Sequence, residues 1–91
     1  MKVRIGEALF ERSFLEDQAR LLEYLRRAAA NPADLEAHLA LGVIHEYHGR
    51  LARAISYYWD AYRLDPTDTF IQKRLRALLT HLQQLIADKV C

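Results

Sequence analysis

The sequence of 91 residues contains one cysteine, two prolines and three glycines. Because few residues interrupt regular structure, and because Ala, Leu, Arg and Glu are abundant, the composition favours a helical fold. Low-complexity tracts and Ser/Thr-rich stretches are also missing, which argues against disorder. A chain of this length is expected to form one small domain around a single core.

Three further features of the composition restrict the expected cellular location and the possible partners. The lone cysteine, Cys91, has no partner for an internal disulfide, which indicates a reducing, cytoplasmic location. Glu7, Glu11 and Arg12 interrupt the first segment, so the sequence predicts neither a signal peptide nor a membrane span. Neither sign of charge dominates, since 13 basic residues accompany 12 acidic ones. Nothing global therefore attracts the chain to nucleic acid or to anionic lipid.

The sequence also contains no recognisable catalytic motif. Without a glycine-rich phosphate loop, a nucleophile elbow or paired carboxylates, we expect no enzyme, no catalytic residues and no cofactor. His38, His45 and His48 fall in one segment, but HEYH has one residue between its Glu and second His where the zinc-protease signature needs two. We expect these rings to be hydrogen-bonded and packed beside Tyr58 and Tyr62 rather than to bind a metal.

Two similar four-residue segments occur in the chain: NPAD at residues 31–34 and DPTD at 65–68, one 34 residues after the other. Each proline ends the preceding helix and suits the first turn of the next one. Asn31 and Asp65 are the predicted capping residues. Two helix boundaries at a fixed interval predict a repeat.

Apolar residues at helical spacing predict four sizeable helices. The first is expected to begin at Phe14, because Ser13 and Glu16 have the spacing of a capping box, and to end before Pro32. Residues 1–12 lack clear periodicity, and the sequence predicts at most a short helix there. The remaining helices are expected over residues 33–48, 51–64 and 68–89.

Residues 35–66 carry a spaced set of small and large side chains. The set consists of Leu41, Gly42, Gly49, Ala54, Ile55, Tyr58, Ala61, Leu64, Asp65 and Pro66. This segment resembles a tetratricopeptide repeat, a family whose period is 34 residues. Gly42 and Ala54 are small enough for two helices to approach closely, Tyr58 fills the space between repeats, and Gly49 suits the turn.

The resemblance implies an all-α fold, in which antiparallel helix-turn-helix units form a right-handed superhelical array with a C-terminal capping helix. Residues 1–91 would be one domain: 1–34 a degenerate first repeat, 35–68 the well-matched repeat and 69–91 the capping helix. The first unit departs from the family, since Arg27 stands where a small residue is expected. One repeat cannot bury both of its faces, so the flanking helices must cover it.

The family's function implies a noncatalytic scaffold or adaptor, which holds a peptide or helix of a partner protein. The concave groove projects to Glu36, Leu39, Val43, Glu46, Tyr47, Phe70, Lys73 and Arg74. Such a groove is mainly apolar with a basic shoulder, which fits a ligand with apolar anchors and an acidic residue. The alternative is that the protein's own residues 1–12 fill this groove.

Homo-oligomeric assembly is the alternative function within the same fold. The apolar stripe of the last helix runs longer than one repeat can cover, and Trp59 stands where the family usually has a polar residue. The predicted self-association surface consists of Trp59, Leu82, Leu85 and Ile86.

A metal-binding or nucleic-acid-binding module is the alternative from another class. The run QKRLR at residues 72–76 would supply a basic patch. Such runs usually lie on the solvated face of a helix, so we expect no nucleic-acid partner.

Overall fold

A computed structural model describes residues 1–90, except for the side chain of Val90. Two short strands are followed by five helices within this part of the chain. They are β1 Lys2–Ile5, β2 Ala8–Glu11, α1 Arg12–Leu15, α2 Gln18–Ala30, α3 Leu35–Tyr47, α4 Leu51–Leu64 and α5 Thr69–Val90. Cys91, and with it the expectation about a disulfide, lies outside the described residues.

The chain is mostly helical, as its composition predicts, but it is not exclusively helical. Residues 1–12 contain a two-stranded antiparallel hairpin instead of a short helix. The reason is an alternation of period two, in which Val3, Ile5 and Phe10 pack against the core while their charged neighbours are exposed. Gly6, with φ of 63°, takes the first position of the two-residue turn, as type II′ hairpins require.

The first predicted helix is split into α1 and α2. Asp17 caps α2, because its carboxylate accepts a hydrogen bond from the Arg20 N–H at 3.1 Å. The capping box predicted for Ser13 and Glu16 is wrong. Glu16 is drawn away from the helix end and instead accepts a hydrogen bond from the Tyr47 hydroxyl at 2.7 Å.

Both proline-containing segments separate helices as predicted, but the residues that cap these helices are not the predicted ones. Asp34 and Asp68 accept hydrogen bonds from first-turn N–H groups of α3 and α5, at 3.0 and 3.1 Å. The predicted caps, Asn31 and Asp65, accept from the N–H two residues further on, at 3.0 and 3.3 Å. The prolines therefore lie in short turns, because each helix starts directly after the last residue of the proline-containing segment.

The antiparallel pair α3 and α4 forms the centre of the fold. The connection at residues 48–50 has the geometry predicted for Gly49, whose φ is 74°. Its N–H donates to the carbonyl of Glu46, and the Arg50 N–H donates to the carbonyl of His45. This pair of hydrogen bonds is the Schellman motif, which ends α3 and reverses the chain.

Small residues let α3 and α4 approach closely. A Cβ built on Gly42 would lie 2.9 Å from the Tyr58 ring, and Ala54, Tyr58 and Ala61 are fully buried. The buried apolar core consists of Ile5, Leu15, Ala37, Leu41, Val43, Ile44, Ala54, Tyr58, Ala61, Ile71, Leu75 and Leu78.

Packing follows chain order, because α2 lies against α3, α3 against α4, and α4 against α5. The hairpin lies beside this stack and contributes Ile5 to the core. Within residues 1–90, no helix combines the length and the apolar composition needed to cross a bilayer.

Candidate functional site

A pocket of about 440 Å³ opens between β2, the first turns of α5 and the facing sides of α2 and α3. It is lined by Ala8, Phe10, Phe14, Tyr24, Glu36, Leu39, Ala40, Val43, Asp68 and Phe70. Its wall is mostly apolar and rich in aromatic rings, so it is called the aromatic pocket below. A concave, largely apolar site with a few polar groups at its edge is the usual form of a ligand site.

Contacts between rings hold the elements around the aromatic pocket together. The Phe10 ring stacks on Phe14 with centroids 6.4 Å apart, and it packs against Phe70 at 6.3 Å. Phe14 in turn meets Tyr24 edge-on at 6.1 Å. These contacts join β2, α1, α2 and α5, and they present apolar ring surface to anything that enters.

Half of the residues predicted for a partner groove line this pocket. They are Glu36, Leu39, Val43 and Phe70. Val43 is 1% exposed and forms the floor, whereas Leu39 and Phe70 remain half-buried and accessible from the pocket. These four side chains therefore lie on one side of the molecule.

The other half of the predicted groove binds groups of the protein itself. These residues are Glu46, Tyr47, Lys73 and Arg74. Lys73 Nζ donates to the Glu7 carboxylate at 2.7 Å, which holds the pKa of Glu7 below its usual value. A Cβ on Gly6 would lie 2.6 Å from Arg74 Cδ, so the hairpin turn lies directly over Arg74. The hairpin turn thus covers Lys73 and Arg74, whereas Tyr47 is bound by Glu16, and the aromatic pocket is the part of the predicted groove left open.

Glu46, Tyr58 and Arg74 form one hydrogen-bonded group beneath the hairpin. Tyr58 Oη donates to Glu46 Oε1 at 2.8 Å, Arg74 Nε donates to the same oxygen at 3.2 Å, and Arg74 also binds Oε2. The Glu46 carboxylate raises the pKa of Arg74, and burial raises the pKa of Tyr58. Arg74 is paired with Glu46 beneath the hairpin and Lys73 with Glu7 at the surface, so carboxylates of the protein itself offset the predicted basic shoulder.

The mouth of the aromatic pocket carries more carboxylates than cations, because Glu36 and Asp34 share one arginine, Arg27, whose guanidinium lies over the Tyr24 ring at 5.4 Å. The charged lining residues of the pocket are Glu36 and Asp68. Glu36 is well exposed and accepts one hydrogen bond from Arg27 at 2.9 Å. Arg27 also makes a two-pronged contact with Asp34, at 3.0 and 3.1 Å, which lowers the pKa of that carboxyl group. A ligand with basic residues beside its apolar anchor matches this rim better than an acidic ligand does.

His38 and His45 of α3, and His48 just after it, each contact a different group of the protein. The His45 ring stacks on Tyr57 at 5.4 Å, not on the predicted Tyr58 or Tyr62, and burial lowers the pKa of His45. The other two rings each donate a hydrogen bond to a backbone carbonyl, at 2.8 and 2.9 Å. Among residues 1–90, no three His, Cys, Asp or Glu side chains are grouped as metal ligands.

A second depression of about 570 Å³ runs between α4 and α5 on the other side of the stack. This outer groove is lined by Trp59, Tyr62, Gln72, Leu75, Arg76, Leu79, Thr80 and Gln83. Trp59, which is 47% exposed, packs against Tyr62 at 5.8 Å. The other residues predicted for self-association, Leu82, Leu85 and Ile86, lie further along α5, where Ile86 is 53% exposed.

Six residues of the aromatic pocket lie outside the sequence-based prediction. They are Ala8, Phe10, Phe14, Tyr24, Ala40 and Asp68. The signal for the first two is in the sequence, since VRIGEALF alternates inward and outward positions around a glycine turn. Nothing in the sequence places Phe14 and Tyr24 in one pocket with Phe70, because the pocket joins distant parts of the chain.

No protein-family model, curated protein or solved structure matches this chain.

Proposed function

We propose that this chain is a noncatalytic adaptor with a tetratricopeptide-like core, and that it binds a peptide segment of a partner protein in the aromatic pocket. The observation that carries the proposal is the open, ring-lined pocket where helix spacing also predicts the partner groove. The repeat-like pattern of residues 35–66 and the sequential packing of α2 to α5 support the array-like core.

The chemistry of the pocket defines the ligand class. A pocket of about 440 Å³ has room for one or two large apolar side chains, and burying one such side chain contributes about 1.5–3 kcal/mol. Glu36 and Asp68 at the mouth favour Lys or Arg next to the anchor. The expected ligand is therefore a peptide with a bulky apolar residue flanked by basic ones.

Selection from a displayed library of random heptapeptides tests the proposal. The wild-type protein should enrich peptides with a large apolar residue next to Lys or Arg. Leu39→Glu places a carboxylate inside the apolar pocket, so it should weaken binding of the selected peptides by about tenfold or more, measured by calorimetry or fluorescence anisotropy.

Leu22→Glu is the matched control, because Leu22 is a leucine on α2 that is 64% exposed and does not line the pocket. Thermal unfolding of both variants separates loss of binding from loss of fold. Enrichment of no peptide, or equal binding by the Leu39→Glu and Leu22→Glu variants, would contradict the proposal.

Self-association is the second candidate function, favoured by the outer groove. Trp59 and Leu79 expose apolar surface beside each other in this groove, at 47% and 39%. Large exposed aromatic and aliphatic side chains at one place are typical of protein interfaces. A second copy of the chain would cover them.

A further inference from the structure

We infer that the free edge of β2 is a strand-pairing site, where a partner's extended segment adds to the hairpin as a third strand and inserts an apolar side chain into the aromatic pocket. This inference rests on the proposed function and specifies its binding mode. The occupant is an extended segment with a bulky apolar residue and basic neighbours. Addition of a peptide strand to an exposed sheet edge is an established mode of recognition in proteins generally.

The phase of the hydrogen-bond ladder shows which backbone groups face outward. In an antiparallel pair, hydrogen-bonded and non-hydrogen-bonded residue pairs alternate. The Arg12 N–H donates to the Met1 carbonyl at 2.9 Å, which continues the ladder one step beyond the pair of Lys2 and Glu11. Leu9, two positions before Glu11, therefore belongs to a non-hydrogen-bonded pair with Arg4. Its N–H and C=O point away from β1.

Among residues 1–90 the sheet has two strands, so no third strand lies along this edge of β2. Leu9 is also 56% exposed, so the outer face of β2 at this position is open to solvent. On the opposite edge, the equivalent outward-facing residues of β1 are Lys2 and Arg4. Charged residues of this kind commonly protect an edge from pairing. The two edges thus differ at one position, where β2 has the apolar Leu9 opposite Arg4 of β1, whereas Glu11 of β2 is charged as Lys2 of β1 is.

The aromatic pocket lies beyond β2, on the side away from β1. The inward-facing side chains of β2, Ala8 and Phe10, line the pocket, whereas Val3 and Ile5 of β1 do not. Ile5 is 6% exposed and is packed in the core. A strand paired with β2 would lie about 4.8 Å from it and would direct alternate side chains toward the same face as Ala8 and Phe10. One of these side chains would enter the pocket.

The charges near the pocket predict a second property of the incoming strand, which is basic residues next to its apolar anchor. Glu36 and Asp68 line the pocket that the apolar anchor would enter. These two carboxylates favour Lys or Arg beside the anchor. This complementarity selects a basic, extended segment over an acidic one.

The test compares two proline variants with the tightest heptapeptide selected on the wild-type protein. Leu9→Pro removes the outward N–H of β2 but leaves the β1–β2 ladder intact, because that N–H is not part of it. Binding should fall by about tenfold, since the added strand loses a backbone hydrogen bond and its register. Arg4→Pro makes the same change on the edge of β1 and should leave the affinity within about twofold.

A second measurement does not depend on how the variants fold. The same heptapeptide is synthesised with single N-methyl groups at each backbone position in turn. Methylation at alternate positions should abolish binding to the wild-type protein, because in an added strand alternate N–H groups bond to β2. Methylation at the intervening positions should have little effect.

The outcomes separate the binding mode from the function. If Leu39→Glu abolishes binding while Leu9→Pro and N-methylation have no effect, the strand addition is wrong and the pocket proposal stands. If binding is insensitive to Leu39→Glu as well, both are wrong. An alternating pattern of N-methyl effects, together with loss on Leu9→Pro and retention on Arg4→Pro, is the result expected for an added third strand.

Discussion

At the scale of single residues, a glycine packs tightly against an aromatic ring in the core. Gly42 of α3 faces Tyr58 of α4, and a Cβ there would lie 2.9 Å from the ring. Tyr58 cannot move aside easily, because it is fully buried and its hydroxyl donates to Glu46 at 2.8 Å. The position therefore requires glycine for its size, although it lies inside a helix.

Gly42→Ala is expected to destabilise the protein. Alanine in place of glycine favours a helix by about 1 kcal/mol, whereas overpacking a dense core costs about 1–3 kcal/mol. Since Tyr58 is held on several sides, the steric cost should exceed the helical gain by about 1 kcal/mol. Denaturant unfolding measures the change, and the double variant with Tyr58→Leu should show a smaller effect of Gly42→Ala. A stabilised Gly42→Ala protein would show that the ring gives way.

His45 makes the stability of the fold depend on pH. Burial lowers the pKa of His45 below its ordinary value of 6.5, and Arg50 and Arg53 lower it further. Between the folded and unfolded pKa values, the unfolded chain binds a proton that the folded chain does not. The free energy of unfolding therefore falls as the pH drops below about 6.5, and this loss is complete below the folded pKa of His45.

The measurement is chemical unfolding at several pH values between 7.5 and 5. His45→Gln should have a flatter profile than the wild type in this range, because glutamine does not titrate. The carboxyl groups whose pKa values are lowered, such as Glu7 and Asp34, lose their contribution at lower pH, below their ordinary values of 4.5 and 3.8. Identical slopes for wild type and His45→Gln would exclude this source of acid sensitivity.

At the scale of elements, α2 differs from the other long helices because it has no fully buried residue. It packs against α3 on one side and is largely exposed on the other. The stability of a helix with so little burial depends more on capping and ion pairs than the stability of a core helix does. The cap at Asp17 and the pairing of Arg27 with Asp34 are two such interactions.

Asp17→Ala should therefore destabilise the protein by about 1 kcal/mol, the usual effect of losing an N-cap side chain. Ser13→Ala is the paired variant, because a capping box starting at Ser13 is what the sequence favours. Since Ser13 makes no capping hydrogen bond to α1 or α2, its replacement should change stability by less than about 0.5 kcal/mol. Denaturant unfolding compares the two variants. A larger loss of stability for Ser13→Ala than for Asp17→Ala would support the capping box instead.

At the scale of the whole molecule, the stack of helices is covered unevenly. The hairpin covers one side, where Ile5 and Phe10 pack against the helices. The outer groove on the other side leaves Trp59 and Leu79 exposed. Apolar surface at the end of a stacked array requires either polar capping residues or another molecule.

Self-association at micromolar concentration is the expected consequence of this exposure. Ile86→Glu and Trp59→Ala should each shift the equilibrium toward monomer, because each removes apolar surface on the α4–α5 side. Analytical ultracentrifugation over a range of concentrations measures the shift. Leu22→Glu, at an exposed leucine of α2, should leave the association unchanged. A wild-type protein that remains monomeric at every concentration tested would rule out this surface as a self-association site.

Some features follow directly from the sequence because they depend on neighbouring residues. The bounds predicted for α3, α4 and α5 lie within two residues of those observed, since helical spacing, the prolines and Gly49 act over a few residues. The small residues at Gly42, Ala54 and Ala61 likewise indicated the close pair of central helices. The hairpin is also a local feature, because its inward and outward positions alternate around Gly6. A search of the sequence for residues alternating with period two would therefore have predicted it.

Other features were decided by tertiary contacts. Glu16 is a possible capping residue in sequence, but the hydroxyl of Tyr47, 31 positions away, binds it instead. Lys73 and Arg74 read as a basic shoulder, yet the folded chain brings Glu7 and Glu46 to neutralise them. The aromatic pocket exists because Phe10, Phe14, Tyr24 and Phe70 meet in space. Local patterns determine elements and their ends, whereas long-range packing determines which charges are paired and which apolar surface stays open.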